Sequence, residues 1–454
     1  MSLRIAIIGS GPSGFYAADA LLKHAEPAFE VDMFDRLPTP YGLVRGGVAP
    51  DHQSIKNVTK IYDKISSNPN FRFFGNVVLG TDLTVADLAE HYDAWIYAVG
   101  AARDRKLGVP GEDLLGSHSA TELVGWYNGH PDFRDLQFDL TAERVAVVGV
   151  GNVAMDVTRI LSQDPDELAK TDIAAHALEA LRSSRIREVI VLGRRGVAQA
   201  AFSPGEIKEI GELESADLVV SPSEVAIDAA SEADLADANT KKNVDYLTER
   251  STFGEGSRDR KVRLRFLASP VEILGENGRV SAIRIEKNRL EAGANGVSAK
   301  GTGVTEILPV GLVFRSVGYH GVAIPGVPFD PKGGTIPNVQ GRVLDAPQGQ
   351  VLPRQYVVGW AKRGPSGLIG TNRGDSIATV QQVIADFASP SPVGADKAAI
   401  VKVLTDRGVF LTDYADWKRL DAHELAQGQA AGKIREKVTR IPEMLDLILK
   451  LRTN

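Results

Sequence analysis

Two stretches about 140 residues apart, RIAIIGSGPSGFYAADALLK (4–23) and RVAVVGVGNVAMDVTRIL (144–161), follow one local rule. Each is a short apolar strand, a glycine-rich turn and an apolar-rich helix. The first carries Gly9, Gly11 and Gly14 as G-x-G-x-x-G; the second carries Gly149, Gly151 and Ala154 as G-x-G-x-x-A. The first small residue allows the tight turn, the second lets backbone approach a pyrophosphate, and the third lets helix pack on strand. Phosphates then face the helix N-terminus. Two such units in one chain imply an α/β fold with two Rossmann-like dinucleotide-binding domains, and two dinucleotides rather than one.

The units differ where their second strands end. FEVDMFD ends in Asp35, 21 residues after Gly14. A carboxylate there usually accepts from an adenosine ribose hydroxyl. EVIVLGRRG occupies the equivalent place in the second unit, after a helical insertion running to about residue 182, and ends in Arg194 and Arg195. Adjacent guanidiniums repel each other unless water or an anion intervenes, and arginine binds phosphate with charge-assisted, often bidentate bonds. A carboxylate would repel a 2′-phosphate. The first site is therefore read as FAD and the second as NADP(H).

The chain has 454 residues, too many for one ordinary core. YDAWIYAVGAARDRKLGVPGED (92–113) and LPVGLVFRSVGYHGVAIPGVPFD (308–330) share the order strand, Val-Gly, polar segment, Pro-Gly. They read as two crossings between domains. The NADP domain would be 105–319, inserted into an FAD domain of 1–104 plus 320–454. QYVVGWAKRGPSGLIGTNRGDSIATVQQVI (355–384) reads as strand, glycine-rich turn and helix. Free amides at Gly367, Leu368 and Ile369 would face a flavin edge where negative charge develops. The alanine-rich acidic stretch 223–240 is expected to be helix, and after SPSPVG the C-terminus is expected to be helical at 396–407 and 416–451.

Composition excludes several chemistries. With no cysteine, the chain holds no iron–sulfur cluster of its own, runs no thiol–disulfide relay and has no cysteine nucleophile. A net charge of −6 argues against nucleic acid as a partner. No run approaches the ~20 apolar residues of a membrane helix, so no membrane insertion is expected. The first apolar run starts at Leu3, so no signal peptide and a cytoplasmic location are expected.

Together GSGPSGFYAA, LPTPYGLVRGGVAPDHQSIK, GVGNVAMDVTRIL, GRRGVAQAAF and VVGWAKRGPSGLIGTN resemble the adrenodoxin-reductase family of ferredoxin–NADP(+) reductases. The stretch Leu37 to Lys56 is the most distinctive. The resemblance implies that FAD is held by Gly9, Gly11, Pro12, Ser13, Gly14, Asp35, Leu43, Val78, Trp360, Gly367, Leu368 and Ile369. NADP(H) would be held by Arg105, Val150, Gly151, Asn152, Val153, Arg194, Arg195, Glu206 and Gly367. The family usually has glutamate where Asp35 stands, so ribose binding is expected to be looser. His52 and Glu209 match the family's proton-handling histidine and acid, and Asp156 is expected to tune its helix start. No metal is implied.

The expected activity is hydride transfer from NADPH to FAD, then single-electron transfer to a separate ferredoxin-type iron–sulfur protein. Docking candidates for that acidic partner are Lys241, Lys242 and Arg250, plus Arg182, Arg185 and Arg187. The alternatives are an NADPH-dependent flavin monooxygenase, a diaphorase or quinone reductase, or a non-catalytic nucleotide-sensing flavoprotein.

Overall fold

The computed structural model describes residues 2–293, 296–387 and 396–453. The Ser-Pro stretch 389–394 lies outside these. Two parallel sheets organise the chain. One has seven strands in the order Asn338–Val339, Arg342–Leu344, Val351–Val357, Ala94–Tyr97, Leu3–Ile8, Phe29–Phe34, Phe71–Phe74. The last five are parallel and the first two join antiparallel at the edge. The other has six parallel strands in the order Ser117–Ser119, Leu312–Arg315, Arg144–Val148, Glu188–Leu192, Arg260–Arg265, Ala216–Val219.

The strands read as continuous apolar runs because both faces are covered. Leu3, Ile5 and Ile7 pack into one cluster while Ala6 and Ile8 pack into another across the sheet. Val145 and Val147 likewise oppose Ala146 and Val148. In each sheet the glycine-loop strand pairs on one side with the next strand of its unit. On the other side it pairs with a strand from later in the chain. Loops that leave such a switch point diverge and open a crevice at the carboxyl ends of the strands, where ligands of open α/β sheets bind.

Three features differ from the sequence reading. Ala268–Glu276, Arg279–Gly293 and Gly296–Pro309 form a three-stranded antiparallel sheet, which local patterning did not announce. The stretch 223–240 is not one helix. It holds two 3₁₀ turns, Pro222–Glu224 and Glu232–Ala236, before the helix Ala238–Arg250 begins. Its polar side chains serve as anchors instead, as where Gln199 donates to Ser231 and Asp234. The C-terminal 416–451 stretch divides into helices Tyr414–Ala430 and Ile441–Thr453.

The segment between those helices ties the two sheets together. Arg440 pairs with Asp135, and Lys437 approaches Asp172 at 3.4 Å. Asp172 also receives Lys56 at 2.7 Å. Arg36 grips Asp132 through both carboxylate oxygens. A short ribbon pairs Arg103–Asp104 with Tyr319–His320. Among the described residues no helix is long and apolar enough to cross a membrane.

Candidate functional site

Both glycine loops have the geometry their chemistry needs. Gly9 sits at φ +109° and Gly149 at φ +131°. A Cβ on Gly9 would lie 2.4 Å from the Ala98 carbonyl oxygen, and one on Gly149 would lie 2.1 Å from that of Ser316. Only glycine fits these turns. The middle glycines differ in kind: a Cβ on Gly11 or Gly151 would meet nothing within 4 Å. That open front is where a pyrophosphate can approach. At the third position a Cβ on Gly14 would lie 2.2 Å from the Gly9 carbonyl oxygen, whereas the second unit accommodates a fully buried Ala154. Gly11 and Gly151 cap their helices, and Pro12 at the first helical turn needs no N–H partner.

Around the first loop, Tyr41 donates its amide to the Ser10 carbonyl. Gly42 lies so close that its Cβ would sit 3.1 Å from Gly11 Cα. The Leu37–Lys56 stretch thus wraps the glycine turn. Ser13 Oγ donates to Asn372 Oδ1, and Ser376 Oγ donates to the Ser13 carbonyl, joining helices Pro12–Leu22 and Thr371–Asp386. Leu43 and Val78 are each 39% exposed and Leu368 is 65% exposed. Trp360 is half-buried, its ring 5.1 Å from that of Tyr319, and its Nε1 donates to the Ser366 carbonyl. The expected row of free amides is interrupted, because the Leu368 amide donates to Thr371 Oγ1. Among the described residues the amides of Gly367 and Ile369 have no protein acceptor.

Asp35 is already engaged. Its Oδ2 accepts from the Ser10 amide and hydroxyl, and its Oδ1 accepts from the Leu37 amide at 2.9 Å. Arg194 and Arg195 are the opposite case. Their carbonyls are pinned by Asn288 Nδ2 and the Leu267 amide. Among the described residues neither guanidinium has a carboxylate or any other hydrogen-bond partner. Asn288, 4% exposed in the three-stranded sheet, carried no signal in the sequence.

Arg105 is exposed, and its Nε reaches only the Tyr319 carbonyl at 3.3 Å. It lines a cleft of about 490 Å³ with Gly318, Lys362, Arg363 and Ser366. Asn152 Oδ1 accepts from the Ser203 amide, so the second glycine loop is tied to the start of helix Pro204–Gly211. Val150 and Val153 pack partly buried against the core of that unit.

The structure brings His52 and Glu209 together although 157 residues separate them: Nε2 lies 2.8 Å from Oε2. On the other ring nitrogen, Nδ1 is 3.6 Å from Asp156 and 4.0 Å from Glu206. Burial opposes a charged imidazole, but the bond to Glu209 and the charges of Asp156 and Asp51 outweigh it, so the His52 pKa is raised. His52 correspondingly holds Glu209 below the usual carboxylate range. Burial, with Asp156 nearby, pushes Glu206 up to about 7. The sequence reading missed Arg159, 3% exposed, which lies against Asp51, Asp156, Glu206 and Glu209. Mid-helix in an apolar run, it gave no local sign of this.

The docking candidates are unequal. Lys241 pairs with Asp245, Arg182 with Asp166 and Arg187 with Asp259. Arg250 stacks over Tyr246 and Phe253. Lys242 and Arg185 are exposed and have no carboxylate partner among the described residues.

Residues 3–195 match the pyridine nucleotide-disulphide oxidoreductase family. The chain is 47% identical over 450 residues to NADPH-ferredoxin reductase FprA of Mycobacterium leprae, covering 97% of each chain. It is 41% identical to bovine mitochondrial NADPH:adrenodoxin oxidoreductase, covering 98% of this chain and 92% of that one. The solved structure of Mycobacterium tuberculosis FprA in complex with NADPH superimposes with a TM-score of 0.93 at 45% identity, covering 99% of this chain and 100% of that one.

Proposed function

This chain belongs to the family of NADPH-ferredoxin and adrenodoxin reductases, and we propose that it draws a hydride from NADPH into bound FAD and passes electrons singly to a ferredoxin-type iron–sulfur protein. The observation that carries this is the unequal pair of second-strand ends: a carboxylate spent on its own loop beside Gly9–Gly14, and two unpaired guanidiniums beside Gly149–Ala154. Although the broader family is named for disulphides, a chain without cysteine does no disulfide chemistry.

The residues present fit both dinucleotides. Gly11 leaves room for the FAD pyrophosphate. Asp35 uses three of the roughly four acceptor positions of a carboxylate, leaving one for a ribose hydroxyl. Leu43, Val78 and Leu368 offer apolar surface, and Gly367 and Ile369 offer amides. Gly151 leaves room for the NADP(H) pyrophosphate, Arg194 and Arg195 take the 2′-phosphate, and Arg105 takes a further contact in its cleft. When bound, FAD accepts two electrons at once and releases them singly, chemistry that belongs to the cofactor. His52 holds a proton against Glu209 at the junction of the two units and governs hydride transfer or flavin reoxidation. The NADP-binding domain spans 105–319. Its support is the separate six-stranded sheet, with the Arg103–Asp104 and Tyr319–His320 ribbon at the two crossings.

The acceptor is a ferredoxin-type iron–sulfur protein, since these residues, lacking cysteine, hold no such cluster themselves. Lys241, Lys242 and Arg250 form the docking face. The lack of cysteine fits a reducing compartment, the cytoplasm.

The test is spectroscopic. Under anaerobic conditions NADPH bleaches the yellow flavin absorbance, and adding a ferredoxin restores it while reducing a cytochrome reporter. A flavin that NADPH cannot bleach defeats the enzyme reading. Bleaching without any ferredoxin turnover, but with rapid oxygen use on an organic substrate, moves the protein to the monooxygenases. Ferredoxin reduction slows with salt, because the screening length falls from ~10 Å at 0.1 M to ~3 Å at 1 M. Reversing Lys241, Lys242 and Arg250 to glutamate slows it selectively. A triple variant as fast as wild type puts the docking face elsewhere.

A further inference from the structure

We propose that Arg159 is the positioning residue for the His52–Glu209 pair, holding the His52 loop of one nucleotide-binding unit against two helices of the other; this rests on the reading that His52 serves hydride transfer.

The Arg159 guanidinium donates four hydrogen bonds to three carboxylates and lies close to a fourth. Nε donates to Asp51 Oδ2 at 2.7 Å, and Nη2 donates to Asp51 Oδ1 at 3.0 Å and Asp156 Oδ1 at 2.7 Å. Nη1 donates to Glu206 Oε2 at 3.1 Å and lies 3.5 Å from Glu209 Oε2. Asp51 belongs to the loop that carries His52, Asp156 to helix Asn152–Ser162, and Glu206 and Glu209 to helix Pro204–Gly211. Five donors in a rigid fork can span four carboxylates on three elements; the single ammonium of lysine cannot.

Charge makes the residue indispensable. One ring nitrogen of His52 and one carboxylate oxygen each of Glu206 and Glu209 gather within 4.8 Å of one another, and Asp51 and Asp156 adjoin them. Four carboxylates face one guanidinium and one imidazole. Without Arg159 they repel, and the one bonded most fully to it, Asp51, immediately precedes His52. Arg159 Nη1 lies 3.1 Å from Glu206 and 3.5 Å from Glu209, so the cluster carries its own counter-ion.

The charged groups around His52 are Glu206 and Glu209 from one helix, Asp156 and Arg159 from another, and Asp51 from its own loop. Tyr127, on the neighbouring helix Ala120–Tyr127, is fully buried near Asp156 and Arg159. Among the described residues its hydroxyl has no hydrogen-bond partner, and burial keeps it neutral. Arg159 pushes the His52 pKa down and Asp51 pushes it up. Charge and positioning are therefore separable: removing either charge shifts the His52 titration, whereas losing the fork with the charge kept slows the reaction without that shift.

The experiment uses FAD-loaded Arg159→Gln, Asp51→Asn and Arg159→Lys beside wild type, following flavin reduction by saturating NADPH in a stopped flow over about pH 5–9. Both Arg159→Gln and Asp51→Asn slow reduction about 10- to 100-fold, the scale of a misplaced catalytic group. The inflection of the pH profile rises by about one unit in Arg159→Gln and falls by a similar amount in Asp51→Asn. Arg159→Lys keeps the charge without the fork, so its inflection stays near wild type while its rate stays low. Wild-type rates in Arg159→Gln and Asp51→Asn, or inflections that move in the same direction, overturn the proposal. Should Arg159→Gln fail to retain FAD, Asp51→Asn decides alone. A wild-type flavin that NADPH does not reduce overturns the functional reading and this proposal together, whereas a fast wild type with equally fast variants overturns this proposal only.

Discussion

The two glycine units share strand, turn and helix, yet their second strands end in opposite electrostatic states. Asp35 closes three hydrogen bonds onto the first loop. Arg194 and Arg195 have their carbonyls held by Asn288 and Leu267 while their guanidiniums have no protein partner among the described residues. Two guanidiniums side by side on a held backbone form an arrangement that a doubly charged phosphate completes. The third small residue differs too. Gly14 has no room for a methyl, whereas Ala154 is fully buried and already carries one. The first helix therefore packs closer to its turn than the second.

The largest test of this comparison fills the two open fronts. Gly11→Val and Gly151→Val start their side chains where the first added carbon meets no protein atom within 4 Å, so it is the space of the pyrophosphate that they fill. Each is expected to cost its own nucleotide about 3 kcal/mol or more, about 100-fold in affinity. Gly11→Val yields colourless protein; Gly151→Val stays yellow but resists bleaching by NADPH. Loss of flavin from Gly151→Val would show that the loops are not independent.

Next come the arginines. Arg194→Ala or Arg195→Ala removes a charge-assisted contact worth roughly 1.5–3 kcal/mol, raising KM for NADPH about 10- to 100-fold and leaving that for NADH unchanged. Equal weakening of both cofactors would mean that the pair serves the shared phosphates or the fold. Asp35→Asn weakens the bonds that shape the first loop by about 1.5 kcal/mol. FAD is then released about tenfold more readily on dialysis, with NADPH affinity untouched in the protein that retains it. An Asp35→Asn protein that holds FAD as tightly as wild type would break the contrast at its first member. The smallest effect is Ala154→Gly, which costs about 1 kcal/mol of stability, the usual helix penalty of glycine, measured by denaturant unfolding, without changing either affinity. The reverse change, Gly14→Ala, costs more because backbone stands 2.2 Å from the new carbon.

Much of the fold was legible because its signals are local. Apolar runs of strand length followed by G-x-G turns specify βαβ units wherever they occur, and both glycine loops lie where they were read. The acidic stretch 223–240 misled because alanine and glutamate favour helix in isolation. In the protein, the Ser231 and Asp234 side chains accept hydrogen bonds from Gln199, and that tertiary anchoring overrides propensity. The three-stranded sheet at 268–309 was missed because one of its outer strands, Gly296–Pro309, is largely exposed and lacks the alternation that marks a half-buried strand.

The sequence by itself determined the two dinucleotide units, the opposite charges that close their second strands, and the need for an outside acceptor, since composition and short-range spacing suffice for each. Only the tertiary structure decided which charges are spent and which are free. Asp35 and Arg194 look equally available on a line of letters, and Arg159 looks like one more helix residue. Whether a charge has a counter-ion depends on residues brought together from far apart, such as His52 and Glu209, and on the burial that makes an unpaired charge costly.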